Sequence, residues 1–203
     1  MTRIALSLVA AGTVALGMTL AGTAFAVTPE GTDEVRGPKV CNPGFAFSSK
    51  MDTCISFAGE IPLNCDAGTV YDVDTQTCVQ LQAGLHDPQL YQQGTMLALA
   101  GEYQRALGVL NSVSVKDSAV LTMIGYATRK LGNLDEGIAI YHRALALDPG
   151  NLSTHEYLGE GYLDAGRIDL AEAQLDTLEL LCGVDCPQYQ TLSKVIAGEG
   201  LWN

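Results

Sequence analysis

The feature that most constrains the fold is a periodic spacing in the second half of the chain. Glycines recur at Gly94, Gly125 and Gly159, in steps of 31 and 34 residues, and four further sets of positions keep the same two steps. These sets are Gly101, Gly132 and Gly166; Ala106, Gly137 and Ala171; Leu110, Tyr141 and Leu175; and Val113, Ala144 and Leu178. Ala, Leu, Gln and Glu recur around them at three- and four-residue spacing, which is typical of helices. The spacing therefore predicts three stacked copies of one helical unit over residues 87–182.

The clearest copy combines a small residue, a turn glycine and a closing proline. Gly125 would let a second helix cross closely, Gly132 would make the turn between the helices, and Pro149 would end the second helix. The segment resembles the tetratricopeptide repeat, a helix-turn-helix unit, although Gly137 stands where that family has Ala. The resemblance implies a mainly α fold, with repeats at about 87–117, 118–151 and 152–182 forming a three-repeat helical hairpin solenoid. Three copies are about the smallest stack that buries a continuous core.

A last helix is expected to cap this array within residues 183–203. Pro187 suits the first turn of a helix. Its apolar stripe consists of Tyr189, Leu192, Val195 and Ile196. Cys182 and Cys186 flank the turn before this helix, and we interpret them as a local disulfide that holds the cap. The alternative is a reactive dithiol with a thiol-disulfide function, but three residues separate the cysteines and no thioredoxin-like context surrounds them.

Four more cysteines form two matched units within residues 41–84, ahead of the repeats. Cys41 and Cys54, like Cys65 and Cys78, are thirteen apart, with Gly three residues after the first cysteine and an aromatic residue six after it. Each unit predicts a β-hairpin with a polar tip. We favour disulfides within the units, since closing a loop of this length stabilises a small fold by roughly 3 kcal/mol. Four cysteines allow three pairings.

The second of these units supports a different hypothesis about function. From Cys65 through Tyr71 to Cys78 it resembles the last hairpin of peritrophin-type chitin-binding modules, which implies carbohydrate binding, to chitin or peptidoglycan, as an alternative function. Phe45, Phe47 and Tyr71 could stack on sugar rings, but aromatic residues in such a hairpin commonly fill its core. The cysteine spacing fits no zinc site, and Thr77 stands where a calcium loop needs Gly.

The beginning of the chain is typical of an exported protein. Residues 4–20 are nearly all apolar or small after Arg3, and residues 24–26 give a small-x-small cleavage pattern, so we expect residues 1–26 to be a signal peptide. The alternative is an uncleaved anchor, since this segment is long enough to cross a bilayer. Residues 27–40 predict a flexible leader. We expect a periplasmic or secreted product without stable membrane insertion after cleavage, in a compartment where disulfides persist.

Charge and histidine content exclude several classes of function. The chain has 23 Asp and Glu against 11 Lys and Arg, for a formal net charge of −12. Nucleic-acid binding requires a basic patch, so no nucleic-acid partner is expected. His86, His142 and His155 stand in no pattern with a nucleophile or with metal ligands, and neither a nucleophile elbow nor a phosphate loop occurs. We therefore expect no enzymatic activity, no cofactor and no metal.

The tetratricopeptide resemblance implies a non-enzymatic scaffold that binds a protein or peptide. Arrays of this family hold extended peptides or helices on the concave face formed by the first helix of each repeat. Carried over by position, the partner-binding residues would be Tyr91, Thr95, Thr122, Tyr126, Arg129, Lys130, Glu156, Glu160 and Asp164. Arg129 and Lys130 would meet the acidic part of a partner of mixed charge, although such charges also serve simply to solvate helices. The whole layout resembles secreted tetratricopeptide proteins of Gram-negative bacteria, for which cell-envelope assembly is a fitting setting.

Overall fold

The computed structural model describes residues 63–81 and 85–199, and the backbone of residues 45–48 and 53–56. The predicted signal peptide 1–26, the leader 27–40 and Cys41 lie outside the described residues. The strands are β1 (Phe45–Ser48), β2 (Thr53–Ser56), β3 (Thr69–Asp72) and β4 (Thr77–Gln80). The helices are α1 (Asp87–Leu99), α2 (Tyr103–Ser112), α3 (Ser118–Lys130), α4 (Leu134–Leu147), α5 (Leu152–Asp164), α6 (Ile168–Cys182) and α7 (Pro187–Ile196).

The predicted fold is confirmed: three helical hairpins, α1–α2, α3–α4 and α5–α6, stack in order and α7 follows them. The turns inside the hairpins contain Gly101, Gly132 and Gly166, whose φ angles of 84°, 92° and 71° favour glycine. Side chains cap two of the first helices. Asp117 accepts a hydrogen bond from the Val120 backbone N–H (2.9 Å), and Asn151 accepts one from the Thr154 N–H (3.1 Å).

Two of the small residues bring the helices of a hairpin together as expected. A Cβ added at Gly94 would lie 2.6 Å from Leu110 Cγ on α2, and one at Gly125 would lie 2.8 Å from the Tyr141 ring on α4. The third repeat differs, because the nearest atoms to Gly159 belong to Leu192 of α7, at 2.5 Å, rather than to α6. The cap helix therefore packs directly onto α5.

The second cysteine-rich hairpin belongs to the same core as the first repeat. β3 pairs with β4 in antiparallel register, with Val70 opposite Val79, and the predicted Cys65–Cys78 disulfide is present. Val70 is fully buried and shares a hydrophobic cluster with residues of α1 and α2. The predicted Cys41–Cys54 pairing includes Cys41 and cannot be traced within the described residues, although β1 and β2 form the antiparallel pair expected of that hairpin.

Polar contacts fix the β3–β4 hairpin on the helices. The Tyr71 N–H donates to Gln93 Oε1 on α1 (2.8 Å), the Gln93 amide nitrogen donates back to the Tyr71 carbonyl, and Arg105 on α2 donates to the Cys65 carbonyl (2.7 Å). Terminal repeats of a solenoid need a cover for the face that has no neighbour. The hairpin supplies that cover at the N-terminal end, a role that its cysteine pattern did not indicate.

At the other end, α7 covers the third repeat. Leu192 of α7 is fully buried, and the Cys182–Cys186 disulfide closes the turn that leads into this helix, with a Cα–Cα distance of 5.8 Å. Among the described helices, none has the length and apolar character that crossing a bilayer requires.

Candidate functional site

The first helices of the three repeats, α1, α3 and α5, lie side by side and carry all nine residues predicted to contact a partner. The structure separates these residues by accessibility. Tyr91, Thr122 and Arg129 are buried, whereas Asp164 is exposed. The partly exposed members are Thr95, Tyr126, Lys130, Glu156 and Glu160. The surface that a partner could touch is therefore smaller than the sequence suggested.

Two of the buried residues contribute to packing between helices. The Thr122 hydroxyl donates to the Ser118 carbonyl (2.7 Å) and lies 2.5 Å from the Thr154 hydroxyl on α5. Burial raises the pKa of the Tyr91 phenol to about 12, so that this group stays neutral. Thr122 joins α3 to α5, Tyr91 belongs to the hydrophobic cluster of the first two repeats, and neither presents much surface to a partner.

Arg129 forms an ion-pair cluster between the second and third repeats. Its Nη2 lies 2.5 Å from Glu160 Oε2 and its Nη1 lies 2.5 Å from Asp164 Oδ2, so one guanidinium on α3 holds two carboxylates on α5. Burial opposes its charge, but Tyr141, Glu160 and Asp164 outweigh this effect and raise the pKa of Arg129. The expectation that Arg129 meets an acidic part of the partner does not fit this arrangement, because the side chain is buried and already paired.

Two glycines make the room that Arg129 occupies. A Cβ at Gly137 would lie 2.9 Å from Arg129 Cβ and 3.1 Å from its backbone nitrogen, and one at Gly161 would lie 3.2 Å from Arg129 Cδ. Gly137 is the residue that departs from the tetratricopeptide pattern, and Gly161 follows Glu160 in the middle of a helix. Because these two glycines have no side chains, the Arg129 side chain has room to pass between α3, α4 and α5.

A row of tyrosine rings connects the repeats on the same side. The Tyr103 and Tyr126 rings meet edge to face with centroids 6.2 Å apart, and the Tyr126 and Tyr157 rings are tilted with centroids 5.1 Å apart. All three rings are partly exposed. We call Tyr103, Tyr126 and Tyr157 the tyrosine row. The repeat positions used to predict the site did not include Tyr103, which begins the second helix of its repeat, or Tyr157, which directly follows Glu156.

Cations flank the central ring of this row. The Arg129 guanidinium carbon lies 5.7 Å and the Lys130 Nζ lies 6.0 Å from the Tyr126 ring centroid. Both distances are within the range of cation–π attraction. Tyr126 is therefore held in place by charged neighbours while part of its ring stays accessible.

Glu156 has an unusual environment for an acid on a helix surface. Its side chain is partly buried, and among the described residues it has no hydrogen-bond or ion-pair partner. Burial, followed by the nearby Glu160 charge, raises the pKa of Glu156 to about 7. A carboxyl group that titrates near neutrality and lacks a partner is more typical of a binding site than of a solvated helix face.

His142, His155 and the Cys182–Cys186 pair have structural surroundings, whereas His86 is an exposed residue just before α1. His155 hydrogen-bonds Gln174 Oε1 (2.8 Å) and the Pro149 carbonyl (2.9 Å), and His142 Nε2 lies 2.9 Å from the Tyr162 hydroxyl. Cys182 and Cys186 are joined to each other, as in the structural interpretation of that pair. The described residues include no group of three or more side chains suited to hold a metal ion.

Of the three hairpin aromatics considered for sugar binding, only the side chain of Tyr71 lies in the described part of the chain. Tyr71 is partly buried, and its backbone is bound to Gln93 of α1. The side chains of Phe45 and Phe47 lie outside what the structure describes. The carbohydrate alternative therefore stays a prediction.

Comparison with known proteins identifies the repeat in the sequence itself. Residues 129–195 match the family model described as tetratricopeptide repeat, a segment that begins in α3, ends in α7 and makes up about a third of the chain. No curated protein sequence matches the chain significantly.

Several solved structures are similar in their helices. The Yersinia enterocolitica type III secretion translocator chaperone SycD, in an alternative dimer, is 22% identical with a TM-score of 0.48, and the match covers 56% of this chain and 87% of that chain. PcrH, in complex with the chaperone-binding region of PopB, is 20% identical with a TM-score of 0.47, and the match covers 58% of this chain and 98% of that chain. MamA from Desulfovibrio magneticus RS-1 is 24% identical with a TM-score of 0.45, and the match covers 49% of this chain and 58% of that chain. Similarities at this level carry no inference about what this chain binds. The helical part of the chain has a tetratricopeptide-like solenoid fold, with the family match itself at residues 129–195.

Proposed function

We propose that this protein is a non-enzymatic scaffold that binds an extended segment of a protein partner along the face formed by α1, α3 and α5. The observation that carries the proposal is the tyrosine row, in which three partly exposed residues run from Tyr103 at the start of α2, through Tyr126 on α3, to Tyr157 on α5. Partly exposed tyrosines supply contact area at little entropic cost, and tyrosine is enriched in binding surfaces.

The rigidity of this face supports the same proposal. Arg129 ties α3 to α5 through Glu160 and Asp164, directly beside the central ring of the row. The hairpin and α7 cover the two ends of the described array. Side chains that are already ordered before binding lose less entropy when a partner arrives, which favours affinity.

Export is part of the proposal. The signal-like residues 1–26 and the Cys65–Cys78 and Cys182–Cys186 disulfides are consistent with a periplasmic or secreted protein, because disulfides persist in oxidising compartments. Isolation of the protein from the cells that produce it, followed by N-terminal sequencing, should give a chain that begins at Val27.

Site-specific photo-crosslinking tests the binding face. A photoreactive phenylalanine analogue is placed at Tyr126, at Tyr157 and, as a control, at Tyr189, which lies on α7 and is also partly exposed. The two positions in the row should capture the same protein, and Tyr189 should not. Identical products from all three positions would argue against a specific face.

The captured protein then provides an affinity measurement. Truncation of an aromatic contact at the centre of an interface costs about 2 kcal/mol, or roughly 30-fold in Kd. Tyr126→Ala with Tyr157→Ala should weaken binding by at least this factor, whereas Tyr189→Ala should leave it unchanged. Equal affinities for all variants would contradict the proposal.

A further inference from the structure

On the α5 side of the binding face, negative charges outnumber positive ones even after the ion pairs within the protein are counted. Arg129 is shared between Glu160 and Asp164, so its single positive charge faces two negative ones. Glu156 lies one helical turn before Glu160 and adds a third carboxylate, with no partner among the described residues. The α5 side of the face therefore carries more negative than positive charge, and the excess grows when Glu156 ionises.

The surroundings of Glu156 are as informative as its charge. The neighbouring Tyr157 is part of the tyrosine row, and burial, followed by the charges of Glu156 and Glu160, raises the pKa of its phenol. Glu156 thus stands at the edge of an aromatic surface and has already lost much of its contact with water. A cation placed beside a desolvated carboxylate and an aromatic ring is stabilised by a charge-assisted hydrogen bond to the first and by cation–π attraction to the second.

We infer that the α5 side of the face accepts a basic side chain, Lys or Arg, of the bound peptide, with the Glu156 carboxylate as its ion-pair partner and the Tyr157 ring as its flanking surface. This inference rests on the proposed function, because it names the partner chemistry of the same face. Charge complementarity is the argument for a peptide cation. A metal ion would need additional ligands, and the described residues offer no such group.

Other charged groups of the helices around α5 do not neutralise Glu156. On α3, Arg129 is paired with Glu160 and Asp164, and the Lys130 Nζ lies over the Tyr126 ring. On α4, His142 contacts Tyr162. The remaining ionisable residues of the helices that pack on α5 are Asp135, Glu136, Tyr141 and Arg143 on α4; Asp169, Glu172, Asp176 and Glu179 on α6; and Tyr189 and Lys194 on α7. Glu160 is the charged neighbour that affects Glu156, and it repels it.

Peptide selection tests the inference whatever the natural partner is. A random peptide library displayed on phage is selected against the purified protein, the Glu156→Gln variant and the Glu172→Gln variant. Glu172 is exposed on α6, so its substitution makes the same change of charge away from the face. Peptides selected by the wild type and by Glu172→Gln should be enriched in Lys and Arg relative to the library, and those selected by Glu156→Gln should not.

The pH dependence of binding gives a second readout. A selected peptide without His is titrated against the protein at pH 8 and pH 6. Because a cation binds the ionised carboxylate, a pKa of about 7 in the free protein and a neutral side chain that binds about tenfold more weakly predict an affinity about fivefold weaker at pH 6 than at pH 8. Glu156→Gln should weaken binding by about tenfold at pH 8 and abolish most of the pH dependence.

The outcomes separate this inference from the function on which it rests. If selected peptides depend on Tyr126 and Tyr157 but carry no excess of Lys and Arg, or if Glu156→Gln retains the pH dependence, the inference is wrong and the binding face stands. If the selected peptides bind Tyr126→Ala with Tyr157→Ala as tightly as the wild type, or if no peptide is selected, both proposals fail.

Discussion

Removing the arginine from the Arg129 cluster should destabilise the protein less than removing its two acidic partners. Arg129→Met removes the guanidinium and keeps most of its apolar stem. The Glu160 and Asp164 side chains that lose their partner are 16% and 28% exposed, so water can replace part of the interaction. Hydrogen bonds to charged groups contribute about 1.5–3 kcal/mol each. Arg129→Met also removes the cost of burying the guanidinium, and water partly solvates the two carboxylates. The net destabilisation by Arg129→Met should therefore be roughly 2–3 kcal/mol.

The reverse change should cost more. Glu160→Met with Asp164→Leu leaves the guanidinium unpaired, although its side chain is only 1% exposed and it cannot lose its proton. An uncompensated buried charge destabilises by about 3–5 kcal/mol. The triple variant, Arg129→Met with Glu160→Met and Asp164→Leu, has no stranded charge and should recover to within about 1 kcal/mol of the wild type.

Urea unfolding followed by circular dichroism at 222 nm measures these differences, with the denaturant slope checked for each variant because solenoids can unfold in parts. Arg143→Met is the matched control, since Arg143 is exposed on α4 and should change stability by no more than about 0.5 kcal/mol. The reasoning is refuted if Arg129→Met costs more than the double acid variant, or if the triple variant is no more stable than that double variant.

Three further predictions concern stability. Gly137→Ala restores the residue expected from the tetratricopeptide pattern, but its Cβ would lie 2.9 Å from Arg129 Cβ, so it should destabilise the protein by about 1–2 kcal/mol. Gly108→Ala, in open space on α2, should instead stabilise it by about 0.5–1 kcal/mol in the same urea assay. Replacing Cys65 and Cys78 with Ser should lower the unfolding free energy by about 3 kcal/mol, and a reductant should abolish the difference. Glu156 has a raised pKa of about 7, so the free energy of unfolding should fall as pH rises from about 4.5 to 7. Glu156→Gln should remove this dependence and stabilise the protein by roughly 1–2 kcal/mol at pH 8, after discounting for partial exposure. An unchanged pH profile in this variant would contradict the prediction.

The periodic spacing was sufficient to predict the repeats because it reports local features. Turn glycines such as Gly132 and crossing glycines such as Gly125 act within one hairpin, and the structure places both as expected. The choice of α1, α3 and α5 as one face follows from the same positions. These parts of the fold depend on residues close together in sequence.

The chemistry of the face could not be predicted because it depends on contacts between repeats. Arg129 pairs with residues 31 and 35 positions away, close to one repeat length, and matching residue types between repeats does not detect pairs of opposite charge at that spacing. The glycines at 137 and 161 were a second signal, since they mark the space that the guanidinium stem needs. Because the sequence did not reveal these pairs, we expected Arg129 to carry a positive charge available to a partner.

The contact between the hairpin and the helices was also invisible in the cysteine spacing. Three glutamines of α1, Gln89, Gln92 and Gln93, are buried, which is unusual for polar residues at the end of an array. Gln89 and Gln93 contact the hairpin through Asp72 and the Tyr71 backbone. The cluster of glutamines on α1 was the signal in this sequence for the polar contact with the hairpin.

The covers at both ends restrict how this protein can change in length during evolution. Repeat proteins gain units by duplication, and a new unit added outside the β3–β4 hairpin or beyond α7 would lack an open helical surface on which to stack. A fourth repeat would have to enter between existing ones. Insertion between the second and third repeats would separate Arg129 from Glu160 and Asp164, so the incoming copy would need its own arginine and its own pair of acids at matching positions. The ion-pair cluster therefore restricts duplication at the junction between the second and third repeats.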